Sequence, residues 1–180
     1  YFPGQNSYGT LAFEDLWPDT GDFDFNDLVI KYQFSQISNG NNDVVQIKST
    51  LIPSAVGANL RTGLGFQLDG IESDAIENVS GYVLTEDAVN LSANGTESGQ
   101  DDAVFIAFDK AFSLFSDVSG DNPTGIGAIN TVPGGRTGTP EVLSMEINFV
   151  LPVNSSLLGT APYNPFLFYS QNRGHEIHLP

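Results

Sequence analysis

Hydrophobic positions in this chain come in short runs, separated by clusters of Gly, Asn, Asp and Pro, and helical stripes are scarce. The β-type runs are TLAFEDLW (10–17), DLVIKYQFSQI (27–37), DVVQIKSTLIP (43–53), GLGFQLDGI (63–71), SGYVLTE (80–86), AVFIAFD (103–109), EVLSMEINFVLP (141–152), NPFLFYS (164–170) and HEIHLP (175–180). Alternation is clearest where Met145, Ile147, Phe149 and Leu151 flank Glu146 and Asn148, which predicts a strand with one buried face and one wet face. SNGNND, between the second and third runs, supplies hairpin-turn residues. Only 72–79 and 110–117 suggest a helical turn or two. Nine or so short strands at this spacing predict an all-β fold, an antiparallel sandwich of two sheets with few helical turns. Two long loops, 90–102 and 119–140, are where binding function is expected on such a scaffold.

The chain has 180 residues, 40% of them hydrophobic, enough for one domain with a sizeable core. With no internal repeat or linker, residues 1–180 read as a single domain. Against 22 acidic residues stand 6 basic ones, for a formal charge of −16. Such a surface repels DNA and anionic membranes, and no apolar run approaches membrane-spanning length. Cysteine is absent, so disulfides, thiolate zinc sites and cysteine nucleophiles are excluded. Either the acids solvate the surface, or a divalent cation neutralises some of them. Calcium is the natural candidate for a surplus of hard oxygen ligands, and about four ions would remove half the charge. A start at Tyr1 leads us to expect a module cut from a longer, exported protein.

The densest acidic stretch is PDTGDFDFNDLVIKY, 18–32. Asp22, Asp24 and Asn26 take positions 1, 3 and 5 of a curled loop, the spacing of calcium loops, with Phe23 and Phe25 between them free to enter the core. Asp27 stands where an EF-hand has glycine and no bidentate Glu follows, so an oxygen-rich loop on a sheet edge is expected. Asp19 and the preceding pair Glu14 and Asp15 join the candidate ligands. Asp117, Ser119 and Asp121 repeat the spacing beside Asn122, a candidate second calcium site, and Asp101 and Asp102 close the first long loop. If these loops meet at one end of the sandwich, an ion with an open position there would take a ligand's carboxylate or a sugar's hydroxyls. Asp101, Asp102, Asn122 and Arg173 are the candidate ligand-binding residues, Arg173 being the sole cation in the closing segment.

Two motifs carry a family resemblance. GTLAFEDLWPDTGDFDFNDLVIKY resembles the N-terminal signature of the LruC-type domain of exported and surface bacterial proteins, and NPFLFYSQNRGHEIHLP resembles that family's closing segment. The resemblance implies that Asp22, Asp24, Asn26 and Asp27 form the acidic cluster, preceded by Glu14 and Asp15. In length, acidity and loop type the chain is also similar to the calcium-dependent peptide-binding modules, described as β-sandwiches, of giant bacterial repeats-in-toxin adhesins.

Other chemistry is thin. His175, Glu176 and His178 have the wrong spacing for a zinc site on one strand face. Carboxylate pairs such as Glu14/Asp15 or Glu141/Glu146 are too common in an acidic chain to point to glycoside hydrolysis, and no nucleophile–base order stands out. Trp17, Tyr163, Phe166, Phe168 and Tyr169 suit stacking on a ligand, though core packing is the better reading for the phenylalanines. The expectation is a non-enzymatic, monomeric, extracellular adhesive module. It binds several calcium ions and recognises a peptide, through a free C-terminal carboxylate at a calcium, on a host or partner cell surface. A carbohydrate-binding module and a calcium-rigidified spacer are the alternatives.

Overall fold

The computed structural model describes residues 1–19, 21–58, 60–120 and 128–179. Its strands are β1 (Gly9–Phe13), β2 (Leu28–Ser38), β3 (Asp43–Ala55), β4 (Thr62–Glu72), β5 (Ile76–Ser80), β6 (Asp102–Phe108), β7 (Phe115–Ser119), β8 (Thr137–Pro140), β9 (Leu143–Asn154), β10 (Pro165–Tyr169) and β11 (Asn172–His178). A five-stranded sheet runs β1-β2-β3-β9-β5, a four-stranded sheet runs β11-β10-β4-β6, and β7 and β8 form a separate ribbon. All of these strand pairs are antiparallel, and helix is confined to three short 3-10 turns among the described residues. The protein is an all-β, antiparallel sandwich.

Period-two patterning builds the five-stranded sheet. In β2, Leu28, Ile30, Tyr32 and Phe34 are buried, while Lys31 between them is exposed. Phe34 meets Phe66 of β4 edge-on at 5.3 Å, so the inner faces of the two sheets interlock there. The four-stranded sheet is different. Nearly every residue of β6 and β10 is buried, because Leu84 and Val89 pack on Val104, Ile106, Phe166 and Phe168. A sheet covered on both faces reads as a continuous apolar run, as AVFIAF and PFLFY do. The expected hairpin closes at Asn39, whose side chain accepts from the backbone N–H groups of Asn41 and Asp43.

Several local expectations are corrected. Beyond Ser80, the last residue of β5, residues 81–86 are not a strand. Strand β5 instead occupies much of the segment read as helical, after a single 3-10 turn at Ser73–Ala75. The second helical segment is likewise a 3-10 turn, Ala111–Leu114, running into β7. In β9 the alternation holds through Met145, Ile147 and Phe149 and fails at Leu151, which is 73% exposed. Pairing with β5 ends at Phe149, and the rest of β9, beside β3 alone, is mostly exposed.

Candidate metal centre

Strand register creates the acidic centre. Phe13 of β1 pairs with Leu28 of β2, so the chain leaves the sheet as Glu14-Asp15 and re-enters as Asp27 at the same end. The Asp15 N–H donates to the Asp27 carboxylate at 2.8 Å, closing the neck of the loop. Val29 pairs with Ala55, which brings the end of β3 alongside, and the Gly57 and Ala58 N–H groups donate to the Asp27 carbonyl. Val56 in turn exchanges backbone hydrogen bonds with Ile129, pinning the second long loop here. Tyr169, from the other sheet, donates its hydroxyl to the Asp15 carbonyl.

These segments enclose a cavity of about 610 Å³, lined by Glu14, Asp15, Asp22, Asp24, Asn26 and Asp27 with Gly21, Gly57, Leu60, Ala128, Thr131 and Val132 around them. Two sets of three carboxylates lie with ligand oxygens within 4.8 Å of one another: Glu14, Asp15 and Asp27, and Glu14, Asp22 and Asp24. Glu14 is 2% exposed and Asp15 is 8% exposed. One Glu14 oxygen accepts from the Phe25 N–H at 3.3 Å, and Asp24 accepts from both the backbone and the side-chain nitrogens of Asn26. Two glycines make room for this packing. A Cβ on Gly21 would sit 2.1 Å from Glu14 Oε1, and one on Gly57 would sit 2.0 Å from Asn26 Oδ1.

None of these carboxylates forms an ion pair with Lys, Arg or His among the described residues. The electrostatic result is visible in their protonation. Burial raises Glu14 above the usual carboxylate range, helped by the charges of Asp27, Asp22 and Asp24. Burial also raises Asp15, with Glu14 and Asp22 adding to it. It pushes Asp27 up to about 6, with Asp15 and Asp22 adding like-charge repulsion. Tyr169 is pushed up to about 12 by burial and by the charges of Asp15 and Asp27. Converging carboxylates short of a positive partner could coordinate a metal ion.

The other expected site residues lie differently. Asp19 is exposed and does not line the cavity. Phe23 and Phe25 do not enter the core: both take left-handed backbone (φ 54° and 52°) and are about half exposed, at 50% and 45%. Loop curling turns the acids inward and leaves the aromatics outside. Asp117 is exposed in β7, and Asp121 and Asn122 lie outside the described residues. The 90–102 loop does not line the cavity. Its Asn94 side chain is tied to Ser73 and Ile76, Asp101 is exposed, and Asp102 accepts from Gln67.

Arg173 is committed elsewhere. It bonds Glu97 and Glu176 and lies over the Phe166 and Phe168 rings at 5.2 and 4.7 Å. His175 stacks on Tyr169 at 4.5 Å, while His178 contacts Asn164 and Glu176, so the histidines do not converge. Sequence reading missed the wall formed by Gly57 and Leu60, which follow the Val29–Ala55 pairing, and by Ala128, Thr131 and Val132, which the Val56–Ile129 pairing brings to the acids.

A family model described as "Domain of unknown function (DUF4842)" matches residues 42–180. The chain belongs to the DUF4842 family. The matched part of this DUF4842 chain supplies the Gly57 and 128–132 walls, while Glu14 to Asp27 lie before it. No curated protein matches in sequence. Among solved structures, the fold is similar to a "putative lipoprotein" from Bacteroides ovatus, with a TM-score of 0.50 and 20% identity. The alignment covers 96% of this chain and 54% of that protein, so the chain spans about half its length.

Proposed function

We propose that this domain is a calcium-dependent binding module of an exported bacterial surface protein. One observation carries the reading. Glu14 and Asp15 are buried and face Asp22, Asp24 and Asp27 across a cavity, with no cationic side chain paired to any of them among the described residues. Burying uncompensated carboxylates is costly, and a hard dication offsets that cost best. Calcium fits the donor set, which is all oxygen, and fits a loop-built site of adaptable geometry. The centre also lies beside a loop-lined opening with exposed Leu16 and Leu60 at its wall, leaving space for a ligand next to the ion.

In this reading the ligand is a peptide presenting a free carboxylate on a partner cell surface. On a chain of formal charge −16, only a local dication reverses the sign where an anionic group lands. Adhesion then comes from many weak contacts acting together. The surface setting belongs to this proposal, and the "putative lipoprotein" description of the structural relative is compatible with it.

The test is calorimetry with one peptide as free acid, as C-terminal amide, and as free acid in chelator. Binding in the first case alone supports the reading. Equal binding of the amide would remove the carboxylate contact, and binding of a sugar with no peptide would favour carbohydrate recognition. Identical melting with calcium and with chelator would overturn calcium dependence itself.

A further inference from the structure

We infer that the centre holds two calcium ions, with the Glu14 carboxylate as their shared ligand; this rests on the calcium reading above. The geometry comes first. Oxygens around a single calcium lie 2.3–2.6 Å from it, so any two of them are within about 5 Å of each other. Each of the two carboxylate sets meets that limit, since their oxygens lie within 4.8 Å. No set joining Asp15 or Asp27 with Asp22 or Asp24 does so among the described residues. The five carboxylates therefore divide into a deep pair from the strand ends, Asp15 and Asp27, and a shallow pair from the loop, Asp22 and Asp24. Glu14 belongs to both.

Burial gives a second, independent indication. Asp15 is 92% buried, lines the cavity, and its carboxylate receives no N–H or O–H from a Lys, Arg, amide or hydroxyl group among the described residues. Its polar neighbour is the carboxyl group of Asp27. Glu14 Oε1 likewise accepts no hydrogen bond among the described residues, while Oε2 accepts from Phe25. A buried carboxylate aimed into a cavity at another carboxylate needs a proton or a cation between the two.

Charge decides the number. Five carboxylates carry five negative charges. One calcium would leave three of them unbalanced in a half-closed cavity, whereas two leave one, which is within reach of solvent. Glu14 suits the shared position because Gly21 keeps its Oε1 clear and the Phe25 N–H steadies its Oε2. Three carboxylates do not fill calcium's six to eight positions, so the shallow ion, beside exposed Asp22 and Asp24, is the one with room for an outside oxygen.

Native mass spectrometry with calcium alone counts the ions. Relative to wild type, Asp24→Asn removes one ion, Asp15→Asn removes one, and Glu14→Gln removes two. Each substitution trades a crowded carboxylate for an amide, and melting in chelator confirms that each variant is folded. A wild type that binds calcium but loses only one ion in Glu14→Gln overturns the shared ligand. Loss of the same ion count in Asp15→Asn, Asp24→Asn and the double variant means one site. A wild type that binds no calcium fails the underlying reading instead.

Discussion

Two groups of buried carboxylates in this sandwich have opposite surroundings. Asp109, fully buried just after β6, accepts from the Thr85 N–H and hydroxyl and from the Glu86 N–H, at 2.7 to 3.2 Å. Its negative charge is met by donors that the fold itself supplies. Glu14 and Asp15 are nearly as buried, yet most of what faces them is other carboxylates. The first arrangement is complete as it stands and pins the 81–89 segment onto the sheet. The second needs something from outside. A buried acid with donors is architecture, and a group of acids facing one another could coordinate a metal ion.

Calcium gives the largest effect that separates the two. Each ion held only by the folded state adds about 2.7 kcal/mol at a hundredfold excess over Kd, so two ions add about 5 kcal/mol. For a chain of this size that raises Tm by roughly 10–20 °C. Differential scanning fluorimetry in calcium and in chelator measures it, and limited proteolysis of the 14–27 loop should be suppressed in parallel. Removing Asp109 comes next. Asp109→Ala strands the Thr85 and Glu86 donors and should cost about 3 kcal/mol, by the same amount with and without calcium. If the cost depended on calcium, Asp109 would be part of the metal system and the contrast would collapse.

The pH profile of the chelated protein is the third probe. Asp27 holds its proton up to about 6, against an ordinary 3.8. The folded state thus binds the proton more tightly than the unfolded chain. Stability should fall as pH rises from about 4 to about 6, and the penalty is complete above that. Glu14 and Asp15 are shifted in the same direction. Chelated protein should therefore melt at a higher temperature at pH 5 than at pH 7. Calcium reverses the sign, since protons then compete with the ion for the same oxygens. Matching profiles in the two conditions would show that no ion replaces the proton.

How far these features were legible follows from the range of the interactions. Period-two runs reported most strands because each strand's exposure is local: Leu28, Ile30, Tyr32 and Phe34 alternate in the sequence as they do in space. The acidic loop was legible because Glu14, Asp15 and Asp27 flank one turn, and register does the rest. Leu151 and the 81–86 run misled, since an apolar run does not show which neighbours will pair with it or cover it. The division of the buried acids into one met by donors and others facing mostly acids was invisible. Asp109 meets Thr85 only through tertiary packing, and Thr131 and Val132 reach the cavity only through the Val56–Ile129 bridge.

The smallest effect concerns Arg173, which the sequence offered as a ligand-binding cation. Its side chain is 17% exposed, its fork engages Glu97, itself 5% exposed, and its plane covers Phe166 and Phe168. This is the cationic counterpart of Asp109: a charge met by partners of the fold's own. Lysine keeps the charge but loses the two-pronged contact and the flat stacking, because an ammonium is a point charge on a flexible stem. Arg173→Lys should cost about 1 kcal/mol, a Tm drop of roughly 2–4 °C, equally in calcium and in chelator. Binding of the carboxylate peptide should be unchanged, since the guanidinium is engaged by Glu97 and Glu176. A variant with wild-type Tm and weakened peptide binding would reverse that assignment. It would place the anion's partner on β11 and leave the acidic centre with calcium alone.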